Sequence, residues 1–303
     1  MRILITGANG FVGRALVARL APDHDIVAVD QEGKDGPYEF VRGDLCDPDV
    51  MDRAVGSGVD ALIHLATVPG GAAEEDPERA WRVNVDASRR LVGLVVQRSP
   101  AARVLFASSI AVLGNPLPPI VDDHAPVAPT LLYGAHKAII EAWLATLTRR
   151  GECRALSLRL PGIVARPRGP SGMRSAFMSD VFHAALAGER LTIPVSPTAT
   201  MWLMSLGTVV DNFVHALETP IEGGSVTLPA LRISMAELVA AIASRQGIAM
   251  DFVTYAPDEA LEAAFGRYPA LSVPKAEAMG FRHDGSSAAL VERAFAAIAG
   301  ENS

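Results

Sequence analysis

Residues 3–13 read ILITGANGFVG, an apolar run followed by a turn with three glycines, and an apolar helical pattern continues from there to residue 20. This order predicts a buried strand, a tight turn and the start of a helix. The first backbone N–H groups of such a helix point at one spot, where a phosphate can bind. Gly7 would permit the turn, Gly10 would let a pyrophosphate approach the backbone, and Gly13 would let the helix pack on the strand. The predicted dinucleotide contacts in this stretch are Gly7, Asn9, Gly10, Phe11, Val12 and Gly13.

The composition is that of a globular enzyme. The chain has 303 residues, of which 50% are hydrophobic and 20% charged, and its net charge of −7 disfavours a nucleic-acid surface. The longest apolar runs are much shorter than a membrane span. Cys46 and Cys153 have neither the number nor the spacing for a disulfide framework or a metal site, so we expect both to be packing residues. We therefore expect a soluble cytoplasmic protein without a metal, a nucleic-acid partner or a membrane segment.

Two acids lie at the ends of predicted strands. Residues 25–30 predict a buried strand that ends in Asp30. A carboxylate there would accept hydrogen bonds from the adenosine ribose and repel a 2′-phosphate, which favours NAD over NADP. Asp30 as a plain solvated strand end remains the alternative. Asp44 lies at the end of the next predicted strand, residues 40–45, where it could meet the adenine amino group or serve only as a turn acid.

The alternation of strands and helices predicts the fold class. Further strands are predicted over residues 59–66, 103–109 and 155–160, with helical patterns between them. Six strands that alternate with helices favour an α/β fold, a doubly wound parallel sheet. In such a sheet, ligands bind at the carboxyl ends of the strands.

The segments between these strands contain two predicted surface loops and two long predicted helices. Residues 67–77 are polar and glycine-containing, and the prolines of residues 115–129 exclude a helix or a central strand. The long helices are predicted over residues 78–97 and 132–149. His64, inside an apolar strand, is interpreted as a core histidine rather than a catalyst.

Beyond residue 165 the alternation loosens. The predicted elements there are a helix over 175–187, a strand over 191–195, a helix opened by a capping box at 234–237, a strand over 252–255 and a helix over 286–299. We therefore expect two domains: residues 1–165 bind the dinucleotide, and residues 166–303 form a smaller mixed lobe that binds the substrate. Some elements of the lobe are expected to return to the main sheet.

The chemistry is indicated by a tyrosine, a lysine and a serine. Tyr133 and Lys137 are four residues apart on a predicted helix and therefore share one face. A tyrosine, with an ordinary pKa of about 10, becomes a useful base only when a cation stabilises its phenolate. Lys137 would supply that charge, and Ser109 at the end of a neighbouring strand would hold the substrate oxygen. Beside a nicotinamide, this set could take a hydroxyl proton while hydride leaves the same carbon.

The chain resembles the extended short-chain dehydrogenase/reductase family, which includes nucleotide-sugar epimerases and dehydratases. The resemblance is carried by the glycine stretch, Asp30, residues 64–66, Asn84, residues 108–114, Tyr133 and Lys137. It implies a Rossmann-type domain that binds NAD, with Ser109, Tyr133 and Lys137 as catalytic residues. Asn84 matches an asparagine that helps to organise a proton relay through water. The other cofactor contacts it implies are Asp44, Leu45, Leu65, Ala66, Tyr133, Lys137 and Pro161.

Further segments resemble one branch of this family, whose members oxidise the C2 hydroxyl of a four-carbon sugar acid to a 2-oxo acid. These segments are residues 114–118, 133–139, 149–151, 158–167 and 202–205. The resemblance implies an NAD-dependent dehydrogenase of a small sugar acid, with Tyr133 as the base. The predicted contacts to an anionic substrate are Ser109, Arg166, Arg168, Arg174 and Trp202.

Two other functions remain open at this point. A UDP-sugar 4-epimerase with tightly bound NAD would use the same serine, tyrosine and lysine, and the arginines of the lobe could contact its nucleoside diphosphate. A nucleotide-binding sensor without turnover is disfavoured, because it has no need of a proton relay. The resemblance also implies a homodimer, in which the two long helices of each subunit form a four-helix interface.

Overall fold

The computed structural model describes residues 1–33, 36–169, 175–220 and 223–301. The strands are β1 (Arg2–Thr6), β2 (Asp25–Asp30), β3 (Glu39–Arg42), β4 (Ala61–His64), β5 (Arg103–Ser109), β6 (Ile120–Val121), β7 (Arg154–Leu160), β8 (Gly162–Val164), β9 (Leu191–Ile193), β10 (Thr200–Ser205), β11 (Ser225–Thr227), β12 (Leu231–Ser234), β13 (Val253–Tyr255) and β14 (Ala270–Leu271). The α-helices are α1 (Phe11–Leu20), α2 (Pro48–Val55), α3 (Gly70–Glu75), α4 (Pro77–Trp81), α5 (Ser88–Arg98), α6 (Leu132–Arg149), α7 (Phe177–Ala187), α8 (Leu206–Glu218), α9 (Met235–Gln246), α10 (Glu259–Phe265), α11 (Pro274–Ala278) and α12 (Ser287–Glu301). A π-helical turn spans Arg82–Ala87, and 3₁₀ turns span Ile110–Leu113 and Met250–Phe252.

The described chain forms two compact units. The first consists of Met1–Gly114, Pro126–Leu160 and Val210–Thr227, and the second of Asn115–Ala125, Pro161–Val209 and the chain from Leu228 onwards. The first unit therefore includes a segment far beyond residue 165, Val210–Thr227. This segment contains β11, which pairs with β7.

A parallel sheet of seven strands, in the order β11-β7-β5-β4-β1-β2-β3, is the centre of the first unit. Every neighbouring pair in it is parallel, which confirms the predicted α/β fold class. Ile3, Leu4 and Ile5 in β1 are fully buried, as are the middle residues of β2 and β4. Strands covered on both faces require such continuous apolar runs, and this is why the fold class could be predicted from them.

The second unit has a mixed architecture. Strand β10 pairs antiparallel with β12 and parallel with β8, and two separate two-stranded pairs join β13 to β9 and β14 to β6. Helices α7, α9 and α12 contribute to its apolar core, together with Met201 and Leu203 of β10. The predicted capping box is confirmed: Ser234 Oγ accepts a hydrogen bond from Glu237 N, and the Glu237 carboxylate accepts one from Ser234 N.

Two segments that were predicted as loops contain short elements of secondary structure. Residues 70–75 form helix α3, because alanines and glutamates are good helix formers despite the glycines before them. Within residues 115–129, Ile120–Val121 form a strand that pairs with Ala270–Leu271, and Val121 is fully buried. A two-residue strand is stabilised only by its distant partner, so the local sequence carries no signal for it.

The long helix predicted over residues 78–97 is interrupted. It consists of α4, the π-helical turn and α5 in succession. The wider turn falls on the segment that contains Asn84, and π-helical turns of this kind are frequent at functional sites. None of the helices in the described part of the chain is both long and apolar enough to cross a membrane.

Candidate active site

The glycine turn between β1 and α1 brings backbone against backbone at distances that exclude a side chain. Gly7 has φ +68°, and a Cβ there would lie 2.8 Å from Ala66 N. A Cβ on Gly13 would lie 2.1 Å from the carbonyl oxygen of Gly7, so α1 can start this close to β1 only with glycine. The first turn of α1 contains no acidic residue, and Gly10 provides no side-chain cap. A helix N-terminus of this kind fits a diphosphate.

Asp30 ends β2 beside this turn. One oxygen of its carboxylate accepts a hydrogen bond from Asn9 N at 2.9 Å, and the other accepts one from Gln31 N at 2.8 Å. These bonds orient the carboxylate, and each oxygen can still accept a further hydrogen bond. The arrangement therefore fits a ribose diol held next to a diphosphate, as an NAD site requires.

The other predicted cofactor residues of the first unit lie in different surroundings. Leu65 and Ala66 extend β4 next to the glycine turn, where their N–H groups donate to the backbone oxygen and to Oγ1 of Thr6. Asp44 accepts a hydrogen bond from Cys46 N at 2.8 Å, and Leu45 packs in the apolar core. Neither of these last two observations tests a contact with the cofactor, and both contacts stay predictions.

Ser109 and Tyr133 are carried by two turns that touch. Ser109 is the last residue of β5, and its Oγ accepts a hydrogen bond from Ala111 N at 3.1 Å, which starts the 3₁₀ turn. A Cβ on Gly134 would lie 2.3 Å from the Ala111 carbonyl oxygen, so the first turn of α6 passes directly against the 3₁₀ turn. Tyr133, the residue before this glycine, is thereby brought to the end of β5.

Lys137 lies one turn further along α6 with only 3% of its surface exposed. Its Nζ is 4.6 Å from the centre of the Phe106 ring and 5.5 Å from the centre of the Tyr133 ring, within the range of cation–π interactions. Burial lowers the pKa of Lys137 to about 7, and the charge of Glu141 opposes that shift. The predicted pairing of a cation with the tyrosine is thus present in the described structure.

Asn84 is buried on the π-helical turn. Its Oδ1 accepts hydrogen bonds from Val68 N at 2.7 Å and from Thr67 Oγ1 at 3.0 Å, and its Nδ2 donates to the Val68 carbonyl oxygen at 3.0 Å. His136 Nδ1 lies 3.4 Å from the same Nδ2. The side chain therefore anchors the loop that follows β4 and contacts α6, while its role in a water relay stays a prediction.

His64 is the satisfied core histidine that the sequence indicated. Its two ring nitrogens pair with Thr6 Oγ1 at 2.6 Å and Ser88 Oγ at 2.7 Å. Burial, helped by the charge of Lys137, lowers the pKa of His64 to about 3. The ring is therefore neutral at physiological pH and adds no charge beside Lys137.

A buried acid, Glu141, was missed. It lies four residues after Lys137 on α6 and is bonded to Ser108 and Arg159. The helical spacing of Tyr133, Lys137 and Glu141 was the available signal, since residues four apart share a helix face.

The predicted substrate residues of the second unit are engaged within that unit. Trp202 is 1% exposed, and its indole N–H donates to the Pro269 carbonyl oxygen at 2.9 Å. Its substrate contact stays a prediction. Arg168 pairs with Glu189 at 2.7 Å, and Arg166 Nε donates to the Ile163 carbonyl oxygen at 3.4 Å. Arg174 lies outside the described residues. Pro161 belongs to the second unit, and its cofactor contact stays a prediction.

The chain is similar to several known proteins. The model of the NAD dependent epimerase/dehydratase family matches residues 3–227. A D-erythronate dehydrogenase of Cupriavidus necator is 36% identical over 308 residues, covering 94% of this chain and 95% of that protein. A D-erythronate dehydrogenase of Haemophilus influenzae is 28% identical, with 94% and 95% covered. The crystal structure of a nucleoside-diphosphate-sugar epimerase from Agrobacterium tumefaciens superposes with a TM-score of 0.87 at 28% identity, covering 96% of this chain and 92% of that one.

The contact at Gly134 can be tested by one methyl group. In Gly134→Ala the new Cβ would meet the Ala111 carbonyl oxygen, so the turns that carry Tyr133 and Ser109 must separate. A displacement of about 1 Å costs roughly 100-fold, and we expect that loss in kcat/KM for NAD reduction. Gly207→Ala is the control, because its Cβ would meet only a flexible arginine at 3.8 Å. Full activity of Gly134→Ala would contradict the contact.

Asp30→Ala should narrow the preference for NAD over NADP. The variant loses hydrogen bonds to a charged acceptor and the repulsion of a 2′-phosphate. Since one such bond contributes roughly 1.5–3 kcal/mol, the ratio of the two Kd values should change by about tenfold or more. The measurement is fluorescence titration with NADH and NADPH. Asp25→Ala, at the exposed start of the same strand, is the control. An unchanged ratio in Asp30→Ala would remove Asp30 from the cofactor site.

Proposed function

We propose that this chain, which belongs to the NAD dependent epimerase/dehydratase family, oxidises a secondary hydroxyl of a small sugar acid with Tyr133 as the base. The protein is an NAD-dependent oxidoreductase. The observation that carries the proposal is the buried Lys137 ammonium, 5.5 Å from the centre of the Tyr133 ring, on a helix that touches the turn starting at Ser109.

Bound NAD supplies a nicotinamide ring that accepts a hydride at C4. The residues of this chain accept the proton of the substrate hydroxyl and hold its oxygen. The Tyr133 phenolate takes the proton of the substrate hydroxyl, while Lys137 stabilises the negative charge of that phenolate before the transfer. The Ser109 hydroxyl donates a hydrogen bond to the substrate oxygen and holds it in place. The carbon that carried hydrogen and hydroxyl becomes a carbonyl: the carbon gives up a hydride, and its oxygen gives up the proton that Tyr133 takes.

The proposed substrate is D-erythronate or a closely related aldonic acid, oxidised at C2 to the 2-oxo acid. The Cupriavidus necator relative supports this, because the 36% identity extends over both units. In this proposal residues 1–165 hold the cofactor and residues 166–303 select the substrate. Arg166, Arg168 and Arg174 are the proposed partners of the substrate carboxylate, and Arg168 would have to exchange Glu189 for it.

The proposal is tested by incubating purified protein with NAD and a panel of four- to six-carbon aldonic acids, with UDP-sugars in parallel. We expect NADH absorbance to rise with one of the acids. Epimerised UDP-sugar on chromatography, together with no NADH from any acid, would instead establish a 4-epimerase and reject the dehydrogenase.

Tyr133→Phe should retain NADH binding and lose turnover. The substitution removes the hydroxyl that exchanges the proton but keeps the ring against Lys137. Because general base catalysis contributes roughly 100-fold or more, we expect at least that loss in kcat. Tyr255→Phe, on β13 of the second unit, is the matched control. Equal loss of NADH affinity and turnover in Tyr133→Phe would reject the assigned role.

We also propose a homodimer formed by the long helices. Trp81 at the end of α4 is 43% exposed, and Leu132 and Ile139 on α6 are 36% and 41% exposed. Such apolar side chains on two adjacent helical segments are typical of a helix-packed interface. Sedimentation velocity at micromolar concentration should give the mass of two chains, and a monomer would contradict the proposal.

A further inference from the structure

Glu141 is a buried acid that the proposed proton transfer does not use. It is 4% exposed, and both oxygens of its carboxylate are engaged. Arg159 Nε lies 3.0 and 3.1 Å from the two oxygens, and an Arg159 terminal nitrogen donates to Oε2 at 2.7 Å. The Ser108 hydroxyl donates to Oε1. A buried carboxylate with this many donors is held in one orientation.

The sheet register places this cluster next to Lys137. Ser108 and Arg159 lie directly opposite each other in the parallel pair of β5 and β7, so their side chains project from the same face. Phe106, two residues before Ser108, projects from that face too, and its ring lies under the Lys137 ammonium. Lys137 and Glu141 therefore contact the same face of the sheet, one helical turn apart.

Charged and titratable groups around Lys137 come from its own helix and from the elements packed against it. Tyr133, His136 and Glu141 lie on its own helix. His64 on β4 is neutral because burial lowers its pKa to about 3, and Arg159 on β7 is bonded to Glu141.

The acids on other elements packed against α6 include Glu74 and Glu75 of α3, Glu78 of α4 and Asp86 of the π-helical turn. The Glu74 carboxylate accepts a hydrogen bond from Leu132 N. Burial lowers the pKa of His136, and the charge of Glu74 opposes that shift. Among the described residues, Glu141 is the acid whose charge raises the pKa of Lys137, against the burial that lowers it.

We propose that Glu141 is a positioning residue of this active site: fixed by Arg159 and Ser108, its carboxylate is the buried countercharge that keeps Lys137 protonated beside Tyr133. The same bond to Ser108 ties α6 to the end of β5, immediately before Ser109. The inference rests on the proposed function insofar as Tyr133 works as a base that needs the Lys137 cation.

Replacing Glu141 with glutamine keeps the shape of the side chain and removes its charge. The buried ammonium of Lys137 then loses its compensating field, so it releases its proton at lower pH. The limb of the pH–rate profile on which activity falls as Lys137 deprotonates should therefore move to lower pH. Glu141 touches neither substrate nor cofactor in this proposal, so KM should change less than the position of that limb.

The sequence allows the Lys137 titration to be observed directly, because its lysines are only Lys34, Lys137 and Lys275. Protein labelled with ¹³C at lysine Cε gives one signal for each, and Lys137→Arg identifies the signal of interest. No cofactor or substrate is needed. In Glu141→Gln we expect the midpoint of this signal to fall by about one pH unit or more, as the loss of a nearby opposite charge should produce.

Two variants separate charge from general loosening of the cluster. Ser108→Ala removes one hydrogen bond without a charge and should move the Lys137 midpoint by less than half as much. Arg159→Met removes a cation and leaves the carboxylate, so it should not lower the midpoint. The proposal is overturned if Glu141→Gln leaves the midpoint unchanged or if Arg159→Met lowers it equally.

Glu141→Gln leaves Arg159 partly buried without its acid and could fail to fold. The double variant Glu141→Gln/Arg159→Met removes both charges and should still show the lowered Lys137 midpoint. An unshifted double variant overturns the proposal as well. The titration uses protein without ligands. If the protein oxidised no sugar acid, the proposed function would be rejected, but the Lys137 midpoints of the variants would still test the role of Glu141. An unshifted midpoint would reject the proposed role of Glu141 without contradicting the proposed dehydrogenase function.

Discussion

A buried ammonium beside an aromatic ring is the interaction on which the proposed active site depends. Lys137 is almost fully removed from water, and its charge is compensated by the ring faces of Phe106 and Tyr133 and by the field of Glu141. A cation in such surroundings loses its proton readily unless the surroundings compensate for the lost hydration. Because the pKa of Lys137 is about 7, its protonated and neutral forms interconvert in the physiological pH range, where a small change in the local charge alters the fraction of Lys137 that is protonated.

The backbone around this cation is brought into place by two close approaches. At Gly13 the first turn of α1 lies against the Gly7 carbonyl oxygen, and at Gly134 the first turn of α6 lies against the Ala111 carbonyl oxygen. Both contacts exclude a Cβ, and both set the start of a helix against the carboxyl end of a strand. The first forms a site that fits a diphosphate, and the second brings the tyrosine to the serine. The proposed cofactor binding and the proposed proton transfer thus rest on the same feature, a glycine where a helix begins.

Much of the first unit could be predicted because its signals are local. The fully buried strands are continuous apolar runs, the glycine turn follows the first of them, and Tyr133 and Lys137 share a helix face through their spacing alone. The misses have physical causes. Strand β6 exists only through its partner β14, which lies about 150 residues later in the chain. The π-helical turn at Asn84 is stabilised by the loop after β4, to which Asn84 is bonded. The contacts of Trp202 with Tyr268 and Pro269 join residues more than 60 positions apart in the chain, so they too have no local signal.

By itself the sequence determined the strands of the doubly wound sheet, the glycine turn and the shared helix face of Tyr133 and Lys137, because each depends on residues within one or two turns of the chain. Only the tertiary structure decided how the charge of Lys137 is compensated and how Glu141 is held in place. Glu141 sits beside Lys137 on the helix, but Ser108 and Arg159 come from two strands, and their meeting at one carboxylate depends on the register of β5 against β7. Register across a parallel sheet is set by packing over the whole unit, so the buried ion pair became visible only once the sheet was assembled.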